Sequence, residues 1–296
     1  MKSRLRLRSF ILVLSVLSSV PLEAQRVQRL PLAPRSPSGE PVAPFFEGWY
    51  ANPDGTYTFS FGYFNLNMEE TLEIPLGPDN FIEPGEFDGK QPTHFTVDPR
   101  RDRGIFTVIV PASYADGQQR VVWTIRGNGV TYSVPARVGV EALQLDYGPR
   151  AMGSVPPLVR LEPGGMEGQH PTGVRLTEPR VATVGSPLTL TVWAAEVSER
   201  SADDIVNRDG VALRLLWFKH QGPPGAVVFE EREIVLEEGT GEATTTATFA
   251  EPGDYVLRVR VDNWAANDSS AGDQCCWTNG YVPVTVVPKG GTLFRD

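Results

Sequence analysis

The sequence predicts an all-β chain of two antiparallel β-sandwich domains, and three observations carry that expectation. Apolar residues recur at every second position in short runs, the signature of half-buried strands rather than helices. Turn residues separate the runs, in a chain with 29 glycines and 26 prolines and few long helical patterns. Only two cysteines are present, and they are adjacent, so hydrophobic burial rather than cross-linking must hold domains of this size together.

The chain opens with Lys2, Arg4, Arg6 and Arg8, then the apolar run from Phe10 to Val20, then Ala24 as a small residue for cleavage. This order predicts a secretory signal peptide over 1–24. The run is shorter than the roughly 18 apolar residues that span a bilayer. No later segment is long and apolar enough to do so, and a periplasmic or extracellular location is expected. The chain has a net charge of −9; the leader carries four basic residues and Glu23, so its removal leaves −12. An acidic mature chain lacks the basic footprint of a nucleic-acid binder.

Residues 25–43 carry Pro31, Pro34, Pro37 and Pro41 without apolar periodicity and read as a Pro-rich linker. A first sandwich is expected over 44–140. "FFEGWYA" and "TYTFSFGYF" flank the turn Asn52–Gly55, which predicts a hairpin. Further strands are predicted at 71–76, 93–97, 104–110, 120–127 and 130–138. A second Pro- and Gly-rich linker, 141–177, contains "PPLVRL", which has strand character. The second sandwich is expected over 178–288, with a tail at 289–296. There Leu188, Leu190 and Val192 share one face, as do Leu213, Leu215 and Trp217. Tyr255, Leu257, Val259 and Val261 point inward, and Arg258 and Arg260 outward.

The run "ATFAEPGDYVLRVRVDN", Ala247 to Asn263, resembles the end of a PKD or related immunoglobulin-like domain of secreted bacterial proteins. "GSPLTLTV" resembles the second strand of such a sandwich, and Trp217 the core tryptophan of its third. The resemblance covers 178–288. It places Tyr255 at the tyrosine-corner position and implies a spacer, adhesion or binding role without catalysis. Where PKD domains carry "WDFGDG", this chain has "WFKHQG", Trp217 to Gly222.

Two long loops follow from this alignment, at 196–210 and 262–280, and an immunoglobulin-like sandwich brings them to one end. They hold Asp203, Asp204 and Asp209, and Asp262, Asp268 and Asp273. Carboxylates with Asn207, Asn263 and Asn267 make a candidate Ca²⁺ site, since this ion takes about six to eight oxygens; solvated acidic loops are the alternative. No other cofactor is expected. Trp264 and Trp277, with Trp49 and Tyr50 in the first sandwich, are candidate platforms for a glycan or a protein partner, or caps on the cores.

Cys275 and Cys276 admit three readings. A disulfide between neighbours closes a strained ring, because their Cα atoms lie about 3.8 Å apart across a trans peptide. Free or intermolecularly paired thiols and soft-metal binding are the others. The first makes a rigid knuckle beside Trp277 that stiffens a recognition loop.

No nucleophile, zinc, phosphate-loop or dinucleotide motif occurs. The sequence therefore predicts a non-catalytic binding, adhesion or structural module that recognises a partner or glycan through the 196–210 and 262–280 loops. The competing reading is a hydrolase centred on the 77–95 loop, with Glu83, Glu86, Asp88 and His94 as acid, base or metal ligands.

Overall fold

A computed structural model of the chain describes residues 36–139, 141–145, 155–199, 212–263 and 276–290; the predicted signal peptide lies outside these. The described residues form strands and short 3-10 turns. In chain order the strands are β1 (Val42–Ala51), β2 (Tyr57–Asn65), β3 (Leu72–Glu73), β4 (Asn80–Glu83), β5 (His94–Phe95), β6 (Arg101–Val110), β7 (Val121–Gly127), β8 (Val130–Ala136) and β9 (Leu158–Arg160). Then come β10 (Val174–Arg175), β11 (Arg180–Thr183), β12 (Leu188–Ala195), β13 (Leu213–Gln221), β14 (Val227–Phe229), β15 (Glu233–Leu236), β16 (Thr240–Phe249), β17 (Gly253–Asp262) and β18 (Trp277–Val287).

The first sandwich packs the sheet β1-β2-β6 on the sheet β4-β7-β8, with β3 and β5 as a separate pair. Alternation does here what the sequence demands: Phe59, Phe61 and Tyr63 of β2 enter a core with Phe106 and Trp123. Phe61 stacks on Phe106 with ring centroids 5.0 Å apart. The other face of β2 is not solvated, for Ser60 is fully buried. Its cross-strand partner Thr107 donates to Thr172 Oγ1 at 3.1 Å, so this face is covered by the second half of the chain. Two predicted boundaries move. Residues 36–41 are tied to the loop after β2, with Ser36 O and Pro37 O accepting from Met68 and Glu69 amides, so the end of the Pro-rich segment belongs to the fold. The 77–95 loop contains an unpredicted strand, β4, paired with β7.

The second sandwich packs β14-β16-β12-β9 against β10-β18-β17-β13-β15, with β11 also on β18. Trp217, Tyr255, Leu257, Val259 and Val261 lie in its core as the pattern requires. Tyr255 Oη donates to Glu251 O at 2.8 Å, the short upstream bond of a tyrosine corner. Two features depart from expectation. β10 falls inside the predicted 141–177 linker and pairs with β18, while β9, in the "PPLVRL" stretch expected to have strand character, pairs with β12. β10 and β11 run parallel to β18, so the sheet is mixed rather than wholly antiparallel.

Arg258 and Arg260 do point away from the second core, but they are 2% and 8% exposed. Period-two alternation sets which face a side chain takes, not what covers that face. Here the cover is the first sandwich. Arg258 Nη2 pairs with buried Asp102 of β6, and Arg258 Nη1 donates to Asn279 Oδ1 at 3.3 Å. Asn279 Nδ2 in turn donates to Gly104 O at 2.7 Å and Pro171 O at 2.8 Å. Tyr281 Oη donates to Ile105 O at 2.8 Å. The two sandwiches thus meet across a buried, hydrogen-bonded seam.

Candidate functional site

The 77–95 loop, the centre of the competing hydrolase reading, proves to be a docking element. Gln221 Nε2 donates to Gly89 O at 3.0 Å and Gln91 O at 2.6 Å. The Thr93 amide donates to His220 O at 2.9 Å, and the Gly222 amide to Thr93 Oγ1 at 3.1 Å. Lys219, almost fully buried, donates to Glu73 Oε1 at 2.8 Å. The residues of "WFKHQG" that depart from the PKD pattern are those that grip the 77–95 loop.

The four candidate catalytic residues do not converge. Asp88 Oδ1 accepts from the Ile82 amide at 2.9 Å and Gln91 Nε2 at 2.6 Å, which closes the loop on itself. Glu83 and Glu86 are exposed. His94 Nδ1 lies 2.8 Å from Glu73 Oε1, its directly opposite residue in the β3–β5 pair. Among the described residues no three His, Cys, Asp or Glu side chains gather into a metal-binding group.

His220 and Glu47 are among the titratable groups that burial perturbs, and both are structural. His220 sits wholly buried in the seam, where burial first and the nearby Arg258 charge second push its pKa down to about 3. The ring is therefore neutral, and its Nε2–H donates to Lys90 O at 3.0 Å. Burial pushes the Glu47 carboxyl up, opposed by Arg101, whose Nη2 lies 2.5 Å from it. Perturbed groups mark functional sites and buried ion pairs alike, and here each has a packing partner.

The loop pole of the second sandwich is described at its roots. Asn263, at the end of β17, donates from Nδ2 to Val155 O at 2.7 Å and to Ser198 Oγ at 3.3 Å. The Val155 amide donates to the same Ser198 Oγ at 2.9 Å. Ser198 leaves β12 toward one long loop and Asn263 leaves β17 toward the other, so both loops start from one point, as the alignment required. Asp203, Asp204, Asp209, Trp264, Asp268, Asp273 and Cys275 lie outside the described residues.

Trp49 and Tyr50 are each 8% exposed and are buried rather than open platforms. Of the predicted pole residues, Asp262, Trp277 and Cys276 are described beside Asn263, and Asp262 and Trp277 are corrected. Trp277 is 1% exposed, with the Arg260 guanidinium over its ring at 4.1 Å. It is a buried residue on the face of β18 that points away from the second core, not a solvent-facing platform, because β17 and β18 pair Asp262 with Trp277 and bring Arg260 across it. Asp262, 4% exposed, accepts from Arg260 Nη2 at 2.8 Å. A guanidinium occupies the position in which a calcium ion would need this carboxylate. Cys276 is fully buried and disulfide-bonded.

Sequence reasoning overlooked Asn263 and Ser198 as anchors and Asp102, Asn279 and Tyr281 as seam residues. Their signal was weak: polar residues inside or beside strands whose neighbours are strongly apolar.

No protein-family model matches the chain, and no curated protein matches it. Among solved structures it is similar to the D00-D0 domain of Intimin, at 13% identity and a TM-score of 0.24, over 83% of this chain and 100% of that one. It is similar to domains 4 and 5 of the S-layer protein SbsC at 10% identity and a TM-score of 0.24, over 57% of this chain and 65% of that one, just under two thirds of their length. The CARDB domain of a Pyrococcus furiosus protein matches at 12% identity and a TM-score of 0.24, over 45% of this chain and 97% of that one. Scores this low carry no argument about function. The fold class rests on the strands themselves: an all-β chain of two packed sandwiches.

Proposed function

We propose that the protein is a non-catalytic binding module of an exported chain, and that it presents the 196–210 loop and the loop between β17 and β18, 263–276, from one pole of its second sandwich to a protein or glycan partner. The observation that carries this reading is the Asn263–Ser198 hydrogen bond of 3.3 Å, which draws the roots of two long loops together. Long loops set on a rigid scaffold are where recognition residues concentrate. Catalysis by the 77–95 loop has no such support, since Glu83, Glu86, Asp88 and His94 do not converge on one point. Export rests on the leader pattern; among the described residues no helix is long and apolar enough to cross a membrane.

Calcium binding belongs to the same proposal, through Asp203, Asp204, Asp209, Asp268 and Asp273 without Asp262. The pairing of Cys276 with Cys275, the other cysteine of the chain, belongs to it as the brace of the second loop.

The test replaces residues 200–210 and 265–274, separately, by short Gly-Ser linkers. Labelled wild-type chain should bind saturably to a glycan array or to intact cells of the source organism, and each replacement should abolish that binding while the melting temperature stays high. Binding unchanged in both variants, or no saturable binding by the wild type, removes the proposal. A calcium titration of the melting temperature tests the ion, with no shift at millimolar calcium as the negative result.

A further inference from the structure

A cleft of about 590 Å³ opens beside the seam, between the turn joining β1 to β2, the exposed end of β6 and the segment 169–172. Ligand pockets run from roughly 300 to 1,000 Å³ and favour domain junctions. None of its described lining residues belongs to the 77–95 loop or is one of the pole residues Val155, Ser198 and Asn263.

Its walls are fixed before any ligand arrives. On one side, Pro171 O accepts from Asn279 Nδ2 at 2.8 Å and Tyr281 Oη at 3.3 Å, and His170 O accepts from the Asn279 amide at 3.4 Å. Thr107 pins Thr172 at 3.1 Å. These bonds hold His170 at φ +65°, a left-handed conformation that non-glycine residues rarely take and that clusters at functional sites. On the other side, Asn52 Nδ2 donates to Thr56 Oγ1 at 2.9 Å and Thr58 Oγ1 at 3.0 Å. Asp54 Oδ1 accepts from the Thr56 amide at 3.0 Å and its hydroxyl at 2.6 Å. Preorganised walls reduce the ordering entropy that binding must overcome.

The lining chemistry narrows the ligand. Among the described residues, amides and hydroxyls dominate the lining, which holds no lysine or arginine and one carboxylate, Asp54. Tyr50 and His170 meet edge to face at 5.8 Å, and Ile109, 47% exposed, adds an apolar patch. Among these described residues an anion would meet a carboxylate and no cation. A neutral sugar has hydroxyls for the amides and a C–H face for His170, which the buried Tyr50 backs, and for Ile109. We infer that this cleft binds an uncharged oligosaccharide, at a site separate from the loop pole.

The experiment is calorimetric titration of the full mature chain with cellohexaose, maltohexaose, mannohexaose and chitohexaose, and with polygalacturonate. At least one neutral hexaose should bind and polygalacturonate should not. Ile109→Arg, at an exposed strand position, should leave the melting temperature unchanged and weaken that binding at least about tenfold, or roughly 1.4 kcal/mol. The two loop-replacement variants should bind the hexaose as the wild type does. No heat with any of the four hexaoses, a preference for polygalacturonate, or binding that survives Ile109→Arg overturns the inference. Binding lost only in the loop-replacement variants overturns it too, and assigns the sugar to the pole instead.

Discussion

Arg258 and Asp102, 156 positions apart in the chain, form an ion pair in which both side chains are nearly inaccessible, 2% and 3% exposed. Neither residue serves its own sandwich core; the pair joins the two. Removing one partner of such a pair strands the other charge in a low-dielectric seam, which costs about 3–5 kcal/mol, whereas replacing both by apolar residues is often neutral. Asp102→Ala should therefore lower the unfolding free energy by about that amount in urea titrations, and Asp102→Leu with Arg258→Met should recover most of it. An Asp102→Ala variant as stable as the wild type would mean that the seam is not a buried unit.

The His220 ring predicts a pH dependence with a definite sign. Its folded pKa, about 3, lies below the ordinary 6.5, so between those values the unfolded chain holds a proton that the folded one refuses. The stabilisation is complete above pH 6.5, declines by about 1.4 kcal/mol per pH unit as the solution is acidified, and levels off near pH 3. His220→Gln should flatten the stability profile between pH 6 and 4.5 by that slope relative to the wild type. Parallel profiles would place His220 in solvent.

Much of the architecture was legible. The strand faces of Phe59, Phe61 and Tyr63, of Leu257, Val259 and Val261, and the place of Trp217 all followed from period-two alternation, because each strand has one face against its own core. What alternation does not carry is the identity of the second cover. Arg258 and Arg260 look like a solvated face and are instead the interface, since the partner surface comes from residues more than 150 positions away. For the same reason Glu83, Glu86, Asp88 and His94 read as a possible acid–base cluster. Their loop's backbone carbonyls, invisible to any motif, were the groups that mattered. The "WFKHQG" departure was the one available clue: residues that break a core pattern while keeping the strand often answer to a neighbour.

Gly173 marks a tight approach within the second sandwich, between the segment leading into β10 and strand β18. Its φ is +58°, and a Cβ built there would stand 1.7 Å from Asn279 O, a backbone atom of β18 that cannot yield. Gly173→Ala should destabilise by more than about 2 kcal/mol. Gly39→Ala, with φ +84° and open space around it, isolates the backbone cost alone and should lose about 1 kcal/mol. Equal effects in thermal melts would rule out the steric contact.

Tyr255 gives a local test of the second sandwich. Tyr255→Phe keeps the ring packed against Phe249, 4.9 Å between centroids, and deletes only the hydroxyl that donates to Glu251 O. The loss should be about 1 kcal/mol, the usual net worth of one hydrogen bond.

The pole can be examined without knowing its ligand. Asn263 and Ser198 share a hydrogen bond and both reach Val155, so their contributions to stability should not be independent. Asn263→Ala should lose about 1–3 kcal/mol, because the amide is buried and its partners would be left unpaired. Ser198→Ala should lose less, being more exposed. In a double-mutant cycle the two should couple by at least about 0.5 kcal/mol, the lower end for residues in one network. Additive losses would mean that β12 and β17 end without reference to each other. Two loops leaving from unconnected roots would not present one surface, and the proposed recognition pole would lose its physical support.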